Sequence, residues 1–528
     1  MTPAPGLGHD VAVLLALLLA PLLLACVGAP DGDAAGGDGG GDPAGDGGGT
    51  LAPEGPDLEV DVLVIGSGPA GLSAAWEASA AGASVLLLER DEVLGGGGNH
   101  ARNLIAAGTR WQAEAGIRDT PDQLLLEWPT ITSGGDPEDP WVQSLAFESA
   151  AILDWLVDEL GAEFLGLIVD SGSGTTMRLH QVGFGTYGPA QPLIEALEPL
   201  AWTQVEATAL REAPEEPGRV AGAFAVDLVT GEEVEIAATA TVIATGGFAR
   251  DLDRVLDSRP ELEGATIVFE ARPGTDGGGH PLLEQVGAAV QNAAQHGLYL
   301  HATADPRPSL AGEAVVLDRL EATVMVDQDG RRVANEATAS GFSLVAALAS
   351  APDRRLWAIY PAGVFDSSIP MTMGVALGIA PEEALSTSDL VDLGVASRVV
   401  DGAAAAVAVG IDEEGLADTL ARYAELVALG EDLDFGKRAD AMVALEGELV
   451  VVELAAGSAK SFGGAWLDAG GRVLDAAGAP IPGLLAAGEV AGMLGTPAVG
   501  VGFSGSVTAC YLTGRVAGRT AATDSLAR

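Results

Sequence analysis

The run Val60-Asp61-Val62-Leu63-Val64-Ile65 breaks into Gly66-Ser67-Gly68-Pro69-Ala70-Gly71, after which Leu72-Ser73-Ala74-Ala75-Trp76 continues as a helix. A buried strand, three spaced glycines and a helix start form a cradle for a dinucleotide pyrophosphate. Gly66 permits the tight turn, Gly68 lets the backbone approach the phosphates, and Gly71 lets the helix pack on the strand. A second strand, Ala83-Ser84-Val85-Leu86-Leu87-Leu88, ends in Glu89, about 20 residues along, where a carboxylate holds a ribose hydroxyl. A glycine-rich turn that binds nothing is the competing reading of the glycines alone. It does not account for strand, helix, second strand and terminal acid in one unit.

The cradle is preceded by an apolar run, residues 11–25, interrupted by Pro21 and too short for a comfortable membrane span. It reads as the core of a signal peptide covering residues 1–26. Its end, Leu23-Leu24-Ala25-Cys26, is similar to a bacterial lipobox, in which the cysteine becomes the lipidated first residue of the mature chain. No Lys or Arg precedes Arg90, so an ordinary signal peptide or a misassigned start stays open. Residues 27–57 are mostly Gly, Asp, Ala and Pro and cannot bury enough surface to offset the entropy of ordering, which predicts a flexible tether. Export with a lipid anchor to the membrane is the expectation.

The remaining chain is long enough for two domains. Cys26 and Cys510 are the two cysteines, so acylation of Cys26 leaves no intrachain disulfide, and covalent c-type haem is excluded by the lack of C-x-x-C-H. Electrons must be exchanged with something else. A balance of 75 acidic against 26 basic residues, net charge −49, excludes nucleic acid as a partner.

Beyond the cradle, Gly95-Gly96-Gly97-Gly98-Asn99-His100 offers bare backbone, either against the bound nucleotide or as a loop. Residues 139–161 read as one amphipathic core helix capped by Asp139, with Pro140 at its first position. Residues 220–247 read as strands closing the nucleotide-binding sheet and ending in Thr245-Gly246-Gly247. Gly274-Thr275-Asp276-Gly277-Gly278-Gly279-His280 then precedes another helix, and no internal repeat is visible.

Taken in order, these segments join Gly330-Arg331-Arg332-Val333-Ala334-Asn335-Glu336, Asp434-Phe435-Gly436-Lys437 and Pro482-Gly483-Leu484-Leu485-Ala486-Ala487-Gly488-Glu489-Val490. Together they resemble the FAD-dependent fumarate reductase and succinate dehydrogenase flavoprotein superfamily, which includes the 3-ketosteroid Δ1-dehydrogenases. The resemblance spans residues 58–528. It implies an α/β fold: a Rossmann-like FAD-binding domain split between residues 58–297 and 463–528, with an inserted α+β capping domain at 298–462.

For the cofactor, the resemblance implies FAD held by Gly66, Gly68, Pro69, Ala70, Gly71, Glu89, Gly97, Gly98, Asn99, Thr245 and Gly246. Asp276 and Glu489 would accept from FAD hydroxyls, the Ala207 backbone would meet the adenine, and Ser506 and Val507 would aim the last helix at the flavin C2 carbonyl. Some relatives attach FAD through a histidine; that position falls on Asn99 and not on His100, so non-covalent FAD is expected.

On the substrate side, Arg332 occupies the place of a proton-donating arginine and Glu313 that of its relay glutamate, although Val316 replaces the relay arginine. Arginine is an odd acid and needs such a relay. Lys460 replaces a substrate histidine in Ala459-Lys460-Ser461-Phe462-Gly463-Gly464, and no Lys or Arg lies between Arg472 and Arg515 to clamp a dicarboxylate. His301 resembles another substrate-side histidine, or is a core histidine. Tyr187 is the best tyrosine for polarising a ketone. The expectation is hydride transfer at flavin N5 to or from a carbon–carbon bond of a small molecule other than fumarate. Two alternatives stay open, a ketosteroid-dehydrogenase-like enzyme and a flavin-binding lipoprotein without turnover. An electron donor or acceptor outside the chain is the expected partner besides the substrate.

Overall fold

The computed structural model describes residues 56–99, 101–132, 135–168, 176–183, 188–291, 296–337, 341–377, 379, 382–492 and 506–528. The buried run Val62 to Ile65 is a central strand with parallel neighbours on both sides: Val64 registers with Leu87 of Val85–Glu89 and with Val242 of Glu233–Ile243. Parallel strands covered on both faces carry continuous apolar runs, which is the pattern seen here. The sheet extends outward through Ala201–Thr203 on one side and through Pro480–Ala486 and Arg472–Leu474 on the other. The C-terminal residues thereby complete the sheet that Leu58–Ile65 begins. Val205–Glu212 and Val220–Asp227 add an antiparallel meander on Glu233–Ile243.

Two helices cover one face of this sheet. Pro69–Ala80 follows the cradle, and Ser506–Leu526 crosses it where Gly514 and Gly518 press on Ala70 and Ala74. A Cβ at Gly514 would fall 2.2 Å from the Ala70 carbonyl oxygen, so the crossing needs glycine. The predicted helix over residues 139–161 divides. Asp139 does cap it, accepting from the Trp141 and Val142 N–H groups, but the α-helix stops at Asp154 and continues as a π-turn, Trp155–Glu159. A small sheet of Asn103–Ile105, Leu179–Gly183 and Glu163–Ile168 packs nearby; here Arg178 is fully buried against Asp119 and Glu127.

The second large sheet is built around Leu449–Ser461, which pairs with Leu356–Pro361, Ala396–Val399, His296–Ala304 and Ile267–Phe269. The division expected at 297/298 therefore falls inside a strand, and Ile267–Phe269 has already joined the cap before the chain returns. That return is marked by the Ala289 N–H donating to the Leu474 carbonyl at 2.8 Å. Two threads pass between the sheets around residue 270, and they place side chains at the junction. Among the described residues no helix is long and apolar enough to cross a membrane.

Candidate functional site

A cavity of about 360 Å³ lies at the junction, entered from the cradle side by Gly66, Gly68, Pro69 and Ala70. The three glycines have separate geometric reasons. Gly66 sits at φ +100°, and a Cβ there would lie 2.5 Å from the Ala244 carbonyl oxygen. Gly68 has nothing within 4 Å of a built Cβ, so its backbone is open to an incoming group. Gly71 does not line the cavity; a Cβ would come within 1.8 Å of the Gly66 oxygen, so it serves helix–strand packing. Gly68 is also the N-cap and makes no side-chain cap bond, leaving the first helical N–H groups for a phosphate.

Glu89 reaches the cradle from the end of the second strand. Its carboxylate accepts from Ser67 N at 2.9 Å, Ser67 Oγ at 2.5 Å and Asp91 N at 2.9 Å. The Gly96–Asn99 turn closes over the cradle: Gly97 and Gly98 line the cavity, and a Cβ on Gly98 would meet the Pro69 ring at 2.3 Å. Asn99 is a correction. It does not line the cavity, because its Nδ2 donates to the Leu94 carbonyl and its amide braces the turn. Arg272, absent from the expected set, ties this turn down by donating to the Gly96 carbonyl at 2.9 Å.

Further along, Ala207, Thr245, Gly246, Asp276, Glu489, Ser506 and Val507 all line the cavity. Asp276 is held by Arg90 at 2.8 Å, and Arg90 also meets Glu206. Glu489 is half-buried on the cavity wall and accepts from Ser461 N and Oγ; desolvation pushes its carboxyl above the usual range against those bonds. Thr245 Oγ1 is buried with no partner. An open cradle, two helix starts, an orphaned hydroxyl and carboxylates spaced along the wall fit FAD, whose pyrophosphate and hydroxyl groups supply the missing partners.

The cap contributes Glu270, Leu377, Ala459 and Lys460 to the wall. A register slip against His296–Ala304 lets the consecutive residues Ala459 and Lys460 both face inward. Lys460 is close enough to Glu489 to favour its charged form. His301 stands behind the wall, with Nε2 at 3.0 and 3.2 Å from the two Glu270 oxygens. Glu270 was not among the expected residues. The signal was present, because Ile267-Val268-Phe269-Glu270 repeats the pattern of an apolar strand ending in an acid that singles out Glu89.

Arg332 and Glu313 are corrected more sharply. Arg332 does not line this cavity but donates to Glu336 at 2.9 and 2.8 Å and meets Asp432 at 2.9 Å, on the outer side of the cap. The Tyr423 and Phe435 rings cover its guanidinium. Burial works against its charge, yet the two carboxylates outweigh it and raise its pKa further, the opposite of what an acid catalyst needs. Burial likewise pushes Asp432 up, but the Arg332 and backbone bonds hold it at about 2. Lys437 completes the cluster with 3.3 Å to Glu336. The two segments 330–336 and 434–437 thus grip each other, Asn335 bridging to the Phe435 and Gly436 carbonyls. Glu313 is buried against Arg250, also off the cavity wall. Tyr187, His100, Cys26 and the loop 495–502 lie outside the described residues.

The sequence profile of the family described as FAD binding domain matches residues 61–503. The chain belongs to that family. It is an FAD-dependent oxidoreductase. It is 29% identical over 445 residues, 83% of this chain and 73% of the relative, to the cytochrome fumarate reductase of Shewanella frigidimarina. It is 27% identical to vinyl phenol reductase of Lactiplantibacillus plantarum, covering 88% of this chain and 96% of the relative. Among solved structures, the open conformation of a flavocytochrome c3 fumarate reductase superposes with a TM-score of 0.71 at 24% identity, covering 89% and 79% of the two chains. A 3-ketosteroid Δ4-(5α)-dehydrogenase from Rhodococcus jostii gives 0.67 at 23%, covering 88% and 97%. Fold and family therefore agree with the resemblance carried by the motifs.

Proposed function

We propose that this flavoprotein reduces or desaturates a carbon–carbon bond of a small molecule, with fumarate a poor substrate and a larger, more apolar alkene or enone a good one. The observation that carries the reading is one cavity shared by the cradle and the cap. When bound, FAD supplies hydride chemistry; the chain must position it, exclude water and deliver a proton. The cradle and Glu89 hold the adenosine half, while Glu489 and the start of Ser506–Leu526 hold the flavin half. Support for the reaction class comes from the relatives, whose names include fumarate, urocanate and vinyl phenol reductases.

The choice of substrate follows from charge. Among the described residues, the cap side offers one cation, Lys460, and one carboxylate, Glu270, while Arg90 and Arg272 are tied to Asp276 and to the Gly96 carbonyl. A dicarboxylate needs paired cationic clamps, and a single lysine does not make a pair. FAD is non-covalent in this reading, since Asn99 takes the attachment position and spends its amide on the turn. The test is stopped-flow reoxidation of the photoreduced holoenzyme: an apolar enone should reoxidise it and fumarate should not. Fast fumarate turnover refutes the charge argument. Acid precipitation should release all the flavin; colour retained on the precipitated protein refutes non-covalent binding.

A further inference from the structure

We infer that the Glu270 carboxyl group donates the proton to the substrate carbon and that His301 restores that proton from solvent. The inference rests on the hydride transfer proposed above, because reduction of a double bond needs an acid on the cavity wall. Arg332 is committed elsewhere, and the buried Glu313 and the half-buried Glu489 are engaged, by Arg250 and by Ser461.

Glu270 is placed by the junction of the two sheets. It follows the strand Ile267–Phe269, and its N–H donates to the Ser458 carbonyl at 2.9 Å, which fixes its backbone against the cap strand. Space for the carboxylate is made by Gly457, where a Cβ would lie 1.6 Å from Glu270 Oε1. Any other residue at 457 would evict the side chain. The acid lines the cavity and is only 10% exposed, whereas the His301 side chain behind it is 29% exposed. A dry group facing the reaction space is thus backed by a wetter group in direct hydrogen-bond contact. Tyr299 stacks on the imidazole at 5.0 Å and 5°, holding the ring so that Nε2 faces both carboxylate oxygens. This is the order of parts a proton relay requires, with donor, refilling base and solvent in line.

In the reducing direction, FAD when bound and reduced would supply the hydride, with its two electrons, for one alkene carbon. The Glu270 O–H bond breaks and its proton forms the C–H bond at the neighbouring carbon. The carboxylate then takes the Nε2 proton of the His301 imidazolium, which regains one from water.

The experiment compares wild type, Glu270→Gln, Glu270→Asp and His301→Asn holoenzymes matched for FAD content. Each is photoreduced and mixed with alkene acceptors. Glu270→Gln should slow reoxidation by roughly 10²-fold or more, and Glu270→Asp should recover part of the loss. A readout free of turnover uses the apoprotein labelled with 15N-histidine, the His301 signal being assigned by its loss in His301→Asn. That signal should shift in Glu270→Gln, because the hydrogen-bond partner of Nε2 has changed from a carboxylate to an amide. Unchanged reoxidation in Glu270→Gln beside an active wild type overturns the relay and leaves the hydride reading intact. A wild type that no alkene reoxidises overturns the hydride reading and the relay with it. An unmoved His301 signal overturns the pairing even where a variant folds poorly enough to lose FAD.

Discussion

Replacing Arg332 by Ala separates a structural role from a catalytic one. The side chain is 6% exposed and makes three charged contacts of 2.8 to 2.9 Å, and its removal leaves Glu336 and Asp432, both fully buried, facing Lys437 alone. Breaking a buried pair by removing one partner costs about 3–5 kcal/mol, because an uncompensated charge remains. The two aromatic rings over the guanidinium, at 5.1 and 4.9 Å, add roughly 0.5–2 kcal/mol in such a desolvated position. For a domain of this size the loss lowers the melting temperature by roughly 10 °C. Differential scanning fluorimetry of the holoenzyme measures the shift, and stopped-flow reoxidation at a temperature where the variant is folded measures the chemistry. The expected result is a lower melting temperature with reoxidation unchanged per bound flavin. Wild-type melting with a large loss of reoxidation rate would refute the structural assignment.

Three other outcomes are expected. Gly71→Ala pushes a methyl group into the Gly66 carbonyl, 1.8 Å away, so it should destabilise by roughly 1–3 kcal/mol or more and strip FAD, read as flavin absorbance per protein. His180 is buried between Thr109 Oγ1 and the Arg178 carbonyl, and desolvation lowers its pKa from 6.5 to about 4, outweighing the backbone bonds. The unfolded state therefore binds the proton first, and this contribution is complete above pH 6.5 and lost as pH falls toward 4. The change is roughly 3 kcal/mol, which urea titrations at successive pH values should show and which His180→Gln should flatten. Cys26→Ser should move the protein from the membrane pellet to the soluble fraction; retention in the pellet would refute the lipobox reading.

The nucleotide half was legible because strand, turn and helix start follow one another in one short unit. Gly71 meets the Gly66 carbonyl within that unit and Gly68 stays open at the helix start, so their spacing carries the geometry; the contact of Gly66 with Ala244, on a strand far along the chain, was not readable from it. Arg332 was misread for the opposite reason. The segment Gly330 to Glu336 has one appearance whether its arginine faces a substrate or an internal carboxylate, and the deciding partner, Asp432, lies about 100 residues away. Separation in sequence also hid the role of Glu270: its importance depends on His301 and Gly457, brought together by strand pairing across the cap. The helix expected over 139–161 was right about its cap and wrong about its last turn, because a π-turn preserves the apolar stripe that periodicity reads.

The crossing of the last helix over the first carries a consequence for the order of events during synthesis. Arg515 bonds Glu77 across a separation of 438 residues, and Gly514 seats against Ala70. At ribosomal speeds of about 5–20 residues per second, the first helix waits roughly 20–90 s after emerging before its partner exists. During that interval the strand, the glycines and Glu89 are present, but the roof of the pocket is still inside the ribosome. FAD capture is therefore a late event, timed by the C-terminal helix and not by the motif that announces the cofactor. An apolar helix face left open for so long is a binding site for chaperones, and FAD supplied during translation would come too early to protect it.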